Sequence, residues 1–319
     1  MKASIGKGLK VGLKTTWTLG KVIFPITLIV TLLQYTPVFP WLMEMMTPLM
    51  SVLGLPGEAS IPLVLGNLLN LYAGIGAILT LDLTVKEVFT LAVMLSFSHN
   101  LLIETGVALK TGVKLWIILV TRIGLAIVAA VVINLIWSGG SERAQYGFVS
   151  QSEEVIEGWG AIVLEAIWSA TVGILQLAII VIPLMVAIQV IKDRGGLTVF
   201  SRWMAPVTRA LGMQPNTSTT MAAGLVFGLA YGAGVMIQAV KEDGVSKKDA
   251  TLAFIFLVAC HAVVEDTLIF IPLGIPVWPL LLIRLGVAIV LTLVVATIWN
   301  RRQKRSNLYE QQKHQHHSV

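Results

Sequence analysis

Two short motifs place histidine close to carboxylates inside stretches that are otherwise apolar. The motifs are SHNLLIET at 98–105 and CHAVVEDT at 260–267. Histidine changes its protonation near neutral pH, so a histidine–carboxylate pair can carry a coupling proton or bind a divalent ion. Ionisable side chains are costly within a membrane and generally mark functional sites there. The candidate ligands of a substrate or coupling ion are therefore His99, Glu104, His261, Glu265 and Asp266.

A metal-binding alternative adds the single cysteine of the chain to the second motif. Cys260 directly precedes His261, and Glu265 shares a helix face with His261 at spacing i, i+4. Thiolate and imidazole are ligands that transition metals accept. The alternative metal set is Cys260, His261 and Glu265. A single cysteine also excludes a disulfide within the chain.

An arginine follows each motif eighteen residues after an acid, Arg122 after Glu104 and Arg284 after Asp266. An arginine at this distance can return beside the acid across a helical hairpin. We expect Arg122 to pair with Glu104, and Arg284 with Asp266 or Glu265, as buried ion pairs that support the site. Glycines and prolines close behind both motifs predict that the two helices end just after them.

A glycine-rich stretch, GNLLNLYAGIG at 66–76, supplies further polar side chains. Amide groups and the phenol of Tyr72 suit a polar organic ligand better than a bare ion, and Asn67 and Asn70 join the predicted site. The stretch GLVFGLAYGAG has glycine at every fourth position, Gly224, Gly228 and Gly232, which favours close packing of helices.

The composition is that of an integral membrane protein. Hydrophobic residues make up 56% of the chain and charged residues 13%, with a mean hydropathy of +0.83. Eight largely uncharged stretches approach or exceed the length that crosses a bilayer, and two shorter ones, 39–54 and 198–213, are expected to be re-entrant or interfacial helices. The long stretches are 15–35, 59–81, 88–103, 115–138, 161–191, 217–240, 250–264 and 278–299.

The second half of the chain repeats the first at a constant spacing of 162 residues, without a gap. The identical pairs include His99 and His261, Thr105 and Thr267, Gly112 and Gly274, Trp116 and Trp278, Arg122 and Arg284, Gly124 and Gly286, and Trp137 and Trp299. This similarity predicts a first membrane repeat at 1–138, a polar acidic linker at 139–160, a second membrane repeat at 161–300 and a basic cytoplasmic tail at 301–319.

The charge of the loops predicts the orientation of these repeats. The N-terminus, the loop near residue 194 and the C-terminus are basic, whereas the linker is acidic. Short cytoplasmic loops are rich in Lys and Arg. An odd number of crossings per repeat places both termini in the cytoplasm and the linker outside. The predicted fold is therefore an all-α, polytopic membrane protein built from two tandem, inverted repeats, an architecture common among secondary transporters.

The two motifs, each followed by a Gly- or Pro-containing turn and an Arg-bearing helix, resemble the nucleoside recognition (Gate) domain family. That family includes the spore maturation proteins A and B, is similar in part to the concentrative nucleoside transporters, and supplies the Gate domains of ferrous-iron transporter B. The resemblance implies a prokaryotic cytoplasmic-membrane protein that moves or senses a small solute. In the iron transporter a Pro-Cys pair precedes a Glu. Here Ala259 stands in place of the proline, and the first motif has Ser98 where the second has Cys260. The GTP-binding domain of the iron transporter is also absent from this sequence.

Three functions follow from these observations. The first is an ion- or proton-coupled transporter of a small polar solute, nucleoside-like or a small carboxylate. The second is a divalent-metal permease, and the third a membrane sensor or scaffold that transports nothing. An enzyme is not expected, because no nucleophile or metal-enzyme motif accompanies the histidines and acids. The expected partners are the lipid bilayer, a small-molecule or ion substrate and, in a homo-oligomer, further copies of the chain; neither a cofactor nor a nucleic acid is expected.

Overall fold

The computed structural model describes residues 2–147 and 158–316, so residues 148–157 of the predicted linker lie outside the described part. Over these ranges the fold is helical, with three short 3₁₀ turns and no β-strand, which confirms the predicted class. The helices of the first half are α1 (Lys2–Gln34), α2 (Val38–Ser51), α3 (Ser60–Leu68), α4 (Leu71–Ile78), α5 (Val85–Ser98), α6 (Leu101–Lys110) and α7 (Leu115–Ile136). Those of the second half are α8 (Trp159–Asp193), α9 (Gly196–Ala210), α10 (Ser218–Tyr231), α11 (Ala233–Glu242), α12 (Lys247–Ala259), α13 (Glu265–Leu268) and α14 (Val277–His316).

Five helical stretches in the described part of the chain are long and apolar enough to cross a bilayer. They are Lys2–Gln34, Val85–Lys110, Leu115–Ile136, Trp159–Asp193 and Val277–Arg305. Three stretches that the sequence treats as continuous are instead interrupted, because 59–81 divides into α3 and α4, 88–103 into α5 and α6, and 217–240 into α10 and α11. The two short helices expected at 39–54 and 198–213 are present as α2 and α9.

The long helices α1 and α8 pack along each other in antiparallel directions. A Cβ atom at Gly8 would lie 2.6 Å from Cα of Val186, and one at Gly12 would lie 3.0 Å from Cα of Ile182. Further along α1, the neighbour of Gly20 is Ile174. As the residue number rises in α1 it falls in α8, and glycine allows this close contact because it has no side chain.

The helices α5 and α12 form the centre of the protein and start in the same way. Thr84 accepts a hydrogen bond from the Glu87 backbone N–H (3.3 Å), and the Glu87 carboxylate accepts one from the Thr84 N–H (2.7 Å). Ser246 likewise accepts from the Asp249 N–H (3.0 Å). These caps satisfy N–H groups that the first turn of a helix leaves free. The most apolar window of Val85–Lys110 is 83% buried, against 17–28% for the other four stretches.

Both central helices break inside the histidine–acid motifs, so the prediction that they end just after the motifs is wrong. The helix α5 ends at Ser98 and α12 at Ala259. Two residues with positive φ follow, Asn100 (φ 53°) and Ala262 (φ 40°). The N–H of Asn100 donates to Gly66 O (2.8 Å), and the N–H of Ala262 to Gly224 O (3.0 Å). Hydrogen bonds to other helices thus replace those that a continuous helix would make.

Candidate functional site

A cavity of about 280 Å³ lies where the broken helices of the two halves meet. Apolar side chains from α1 and α10, among them Leu19 and Phe227, form part of its wall. Both halves contribute polar groups. The polar lining residues are Thr18, Asn70, Tyr72, His99, Asn100, Glu104, His261, Glu265 and Asp266. All five candidate residues of the two motifs therefore reach one cavity, although up to 167 positions separate them in the sequence.

The two histidines are held in matching orientations at the ends of α5 and α12. Their ring centroids lie 5.2 Å apart. Nδ1 of His99 contacts Leu95 O and Nδ1 of His261 contacts Leu257 O, each at 2.7 Å. A carbonyl oxygen can only accept, so each Nδ1 carries a hydrogen and donates it. The other ring nitrogen, Nε2, is therefore the atom that each histidine presents to the cavity.

Each Nε2 atom faces a carboxylate oxygen. Oε1 of Glu104 lies 3.3 Å from Nε2 of His99 and 3.4 Å from Nε2 of His261. Oδ2 of Asp266 also lies 3.4 Å from Nε2 of His261. A neutral imidazole protonated at Nδ1 has its lone pair at Nε2, which repels a carboxylate oxygen. The arrangement is favourable only when a proton or a cation lies between the two atoms.

The two arginines tie these carboxylates to the broken helix ends. Arg122 pairs with Oε2 of Glu104 at 2.8 Å, and its guanidinium also donates to the carbonyl oxygens of Phe97 and His99. Arg284 contacts Oδ2 of Asp266 at 3.1 Å and donates to His261 O at 2.6 Å. Both side chains are fully buried. The pairs expected from the sequence are in contact, and the partner of Arg284 is Asp266 rather than Glu265.

Glu265 occupies a different part of the cavity from the one expected. The i, i+4 spacing places it beside His261 on an unbroken helix, but the break at 260–264 directs it to α4. Oε1 of Glu265 accepts a hydrogen bond of 2.5 Å from the Tyr72 hydroxyl. The sequence suggests the Tyr72 phenol as suited to a polar ligand but does not include Tyr72 among the predicted site residues. Its position between Asn70 and Gly74 in the glycine-rich stretch was the available signal.

The remaining predicted residues play other structural roles. Asn70 lines the cavity and caps α4, because its Oδ1 accepts from the Ala73 N–H at 3.0 Å. Asn67 donates to Leu63 O of its own helix (2.7 Å) and is absent from the cavity lining. Cys260 is fully buried at the end of α12 and does not line the cavity either. The alternative metal set of Cys260, His261 and Glu265 is therefore not assembled around this cavity.

Comparisons with known proteins agree with this architecture. The family model described as nucleoside recognition, named Gate, matches residues 16–114 and 174–275. The chain is also 64% identical over 301 residues to the uncharacterized membrane protein YvoD of Bacillus subtilis (strain 168), covering 94% of this chain and 96% of that protein. No solved structure matches the chain. The resemblance inferred from the two motifs is confirmed, and the chain belongs to the Gate, or nucleoside recognition, family of membrane proteins.

Proposed function

We propose that the protein is a secondary transporter that moves a small polar solute across the cytoplasmic membrane, coupled to a proton on the histidine–carboxylate cluster. The observation that carries this proposal is the pair of buried Nε2 atoms, from His99 and His261, that face the carboxylates of Glu104 and Asp266. Helix breaks that carry ionisable groups into a cavity at the interface of two halves are typical of such transporters.

The charges around the cavity favour a neutral solute over an anion. Arg122 and Arg284 are each paired with one carboxylate, Glu104 and Asp266, so their charges are balanced. Glu265 remains as a further acid on the cavity wall. Glu265 would repel an anionic solute. The nearest cations, Arg122 and Arg284, are already paired with other carboxylates. A nucleoside-like solute is therefore favoured over a small carboxylate, and the cavity of about 280 Å³ is close to the lower end of the usual ligand pocket, ~300 Å³.

Asn70, Tyr72 and Glu265 are the groups that would hold this solute. They lie on the cavity wall as an amide, a phenol and a carboxylate, which together donate and accept hydrogen bonds. The first two come from the segment 70–72 at the start of α4, and Glu265 begins α13. Movement of α4 relative to α13 would therefore change the affinity for the solute.

The coupling proton changes the interaction between the two halves of the protein. When Nε2 of His261 gains a proton, the contacts of this histidine with Glu104 and Asp266 change from repulsive to attractive. Since Glu104 belongs to α6 and His261 follows α12, proton binding draws the two halves together, and proton release allows them to separate. A ligand shifts a conformational equilibrium only through such a difference in interaction between states.

The predicted inverted arrangement is part of the proposal. Two features support it, the antiparallel packing of α1 with α8 and the matching contacts of His99 and His261 with Leu95 and Leu257, again 162 residues apart. Inverted halves give a transporter two equivalent states that open to opposite sides. Cytoplasmic termini and a location in the inner membrane of a prokaryote complete the proposal.

Reconstitution into liposomes tests this function. Vesicles that contain a pH-sensitive dye receive uridine, adenosine, inosine, succinate or glutamate in metal-free buffer. We expect a nucleoside to cause proton influx and to accumulate under an inward proton gradient. His261→Ala abolishes both, whereas the matched Cys260→Ser, one residue away, retains them. Proton-independent uptake, or unchanged flux in His261→Ala, contradicts the proposal. If the substitutions lower only the melting temperature, the scaffold alternative is correct.

A further inference from the structure

We propose that His99, Glu104, His261 and Asp266 form a binding site for a divalent transition-metal ion of the zinc class. This site differs from the cysteine-containing set predicted from the sequence, because all four ligands are nitrogen or oxygen atoms. The inference does not rest on the transport proposal, since it concerns equilibrium binding to the folded protein.

The orientation of the two imidazoles is the one that metal-binding histidines adopt. A metal-ligating histidine almost always donates its second ring N–H to a backbone carbonyl or a carboxylate, which fixes the ring and makes the ligating nitrogen more basic. Nδ1 of His99 and of His261 donate in this way to Leu95 O and Leu257 O. Nε2 of His261 is buried and has no hydrogen-bond partner. An unpaired buried nitrogen of this kind is costly unless a ligand occupies it.

Three of the six spacings between the four ligand atoms match the edges of a tetrahedron. Zinc binds His nitrogen and carboxylate oxygen at about 2.0–2.1 Å, so neighbouring ligand atoms around a tetrahedral ion lie ~3.3–3.4 Å apart. Oε1 of Glu104 lies 3.3 and 3.4 Å from the two Nε2 atoms, and Oδ2 of Asp266 lies 3.4 Å from that of His261. One ligand atom from each of His99, His261 and Asp266 falls within 4.8 Å of the others.

Three acids lie at the cavity beside the two imidazoles, Glu104, Glu265 and Asp266. Arg122 contacts Oε2 of Glu104 and leaves Oε1 to face the histidines, whereas Arg284 contacts the same oxygen of Asp266, Oδ2, that faces His261. The arginines already balance the charges of these two carboxylates, so Glu265 is the acid that offsets part of the charge of the metal. Two imidazole ligands favour zinc, cobalt, nickel or ferrous iron over calcium and magnesium, which prefer oxygen ligands.

Metal and proton compete for this site, because both use the Nε2 lone pairs. Metal binding requires unprotonated imidazole, so the affinity falls as the pH is lowered. In a transporter of the kind proposed, metal occupancy therefore blocks proton uptake at the cluster.

Cobalt(II) is the probe for the experiment, since its visible spectrum reports ligand type and geometry. The protein is purified without a histidine tag and carries His314→Ala, His316→Ala and His317→Ala, because these tail histidines could bind metal by themselves. We expect one Co²⁺ per chain, a tetrahedral visible spectrum, and displacement by an equivalent of Zn²⁺. His99→Ala with His261→Ala abolishes binding, and the isosteric Glu104→Gln and Asp266→Asn lower the affinity at least ~10-fold.

Cys260→Ser is the matched control and leaves the spectrum unchanged. The isosteric variants keep the test valid if the double histidine variant fails to fold, and the melting temperature of each variant shows whether it folds. Absence of stoichiometric Co²⁺ binding, unchanged affinity in Glu104→Gln and Asp266→Asn, or a thiolate charge-transfer band that Cys260→Ser removes would each overturn the proposed site. Loss of Co²⁺ binding leaves the transport proposal standing, because proton-coupled uptake is measured in metal-free buffer.

Discussion

Oε1 of Glu104, in the first half of the chain, lies 3.4 Å from Nε2 of His261, in the second. The same oxygen lies 3.3 Å from Nε2 of His99. One carboxylate therefore bridges both histidines, whereas Asp266 contacts His261 alone. The two acids hold equivalent positions in their motifs, yet their roles in the cluster are unequal.

This inequality predicts that Glu104→Gln impairs proton-coupled uptake more than Asp266→Asn does. Each substitution removes a charge with little change in shape, and a hydrogen bond to a charged group contributes ~1.5–3 kcal/mol. Glu104 interacts with two imidazoles, so we expect a loss of about 100-fold for Glu104→Gln and about 10-fold for Asp266→Asn. Initial rates of proton influx in liposomes measure the difference. Equal losses in the two variants would show that the bridging contact is unimportant.

The buried arginines should be far more important for stability than an exposed one. Arg122→Leu leaves Glu104 ionised and buried without its cation, and removing one partner of a buried ion pair costs ~3–5 kcal/mol. The control is Arg143→Leu, because Arg143 pairs with Asp82 at a site where both side chains are more than 60% exposed. We expect a clearly lower melting temperature for the first variant and almost no change for the second. Similar melting temperatures would contradict the structural role of Arg122.

Tyr72→Phe tests the role of the phenol at the cavity wall. The change removes the hydroxyl that donates to Glu265 at 2.5 Å and keeps the aromatic ring. A bond of this type contributes ~1.5–3 kcal/mol, so we expect the apparent affinity for the solute to fall by about 10- to 100-fold. The control Tyr35→Phe, at a residue 42% exposed, should have no effect. Uptake measured over a range of solute concentrations separates the KM from the maximal rate, and an unchanged KM would remove Tyr72 from the binding site.

Gly228 combines a positive φ with a position inside a helix of the second half. Its φ of 74° lies inside α10, and an added Cβ would lie 3.1 Å from Cβ of Ala262. Gly228→Ala should therefore lower the melting temperature, since L-residues disfavour positive φ. Gly286→Ala is the control, because no atom lies within 4 Å of its added Cβ. Replacing a glycine within a helix by alanine is stabilising by ~1 kcal/mol. An unchanged melting temperature in Gly228→Ala would show that α10 tolerates a regular helix there.

Much of this architecture was predictable from the sequence, because its signals are local or compositional. Hydropathy identified the five stretches that are long and apolar enough to cross a membrane, but not the interruptions within 59–81 and 217–240. The 162-residue spacing paired His99 with His261. The eighteen-residue spacing of acid and arginine predicted both ion pairs. The course of the chain inside the motifs was not predictable, since the break after Ser98 depends on Gly66 O, 34 positions away from Asn100. The break also explains why the sequence predicts a contact of Glu265 with His261 instead of Tyr72. The i, i+4 spacing brings two side chains together only on an unbroken helix.

The methyl group of Ala262 restricts the backbone of the second break. Glycine occupies positive φ without strain, whereas a residue with a Cβ atom costs about 1–2 kcal/mol there and has far fewer accessible backbone angles. At φ 40° the chain carries alanine, and Asn100 holds the equivalent position of the first break. Neither break therefore has the backbone flexibility of a glycine hinge. Asn100 and Ala262 give the two breaks less backbone freedom than glycine would, so we expect the helix segments on either side of each break to move together.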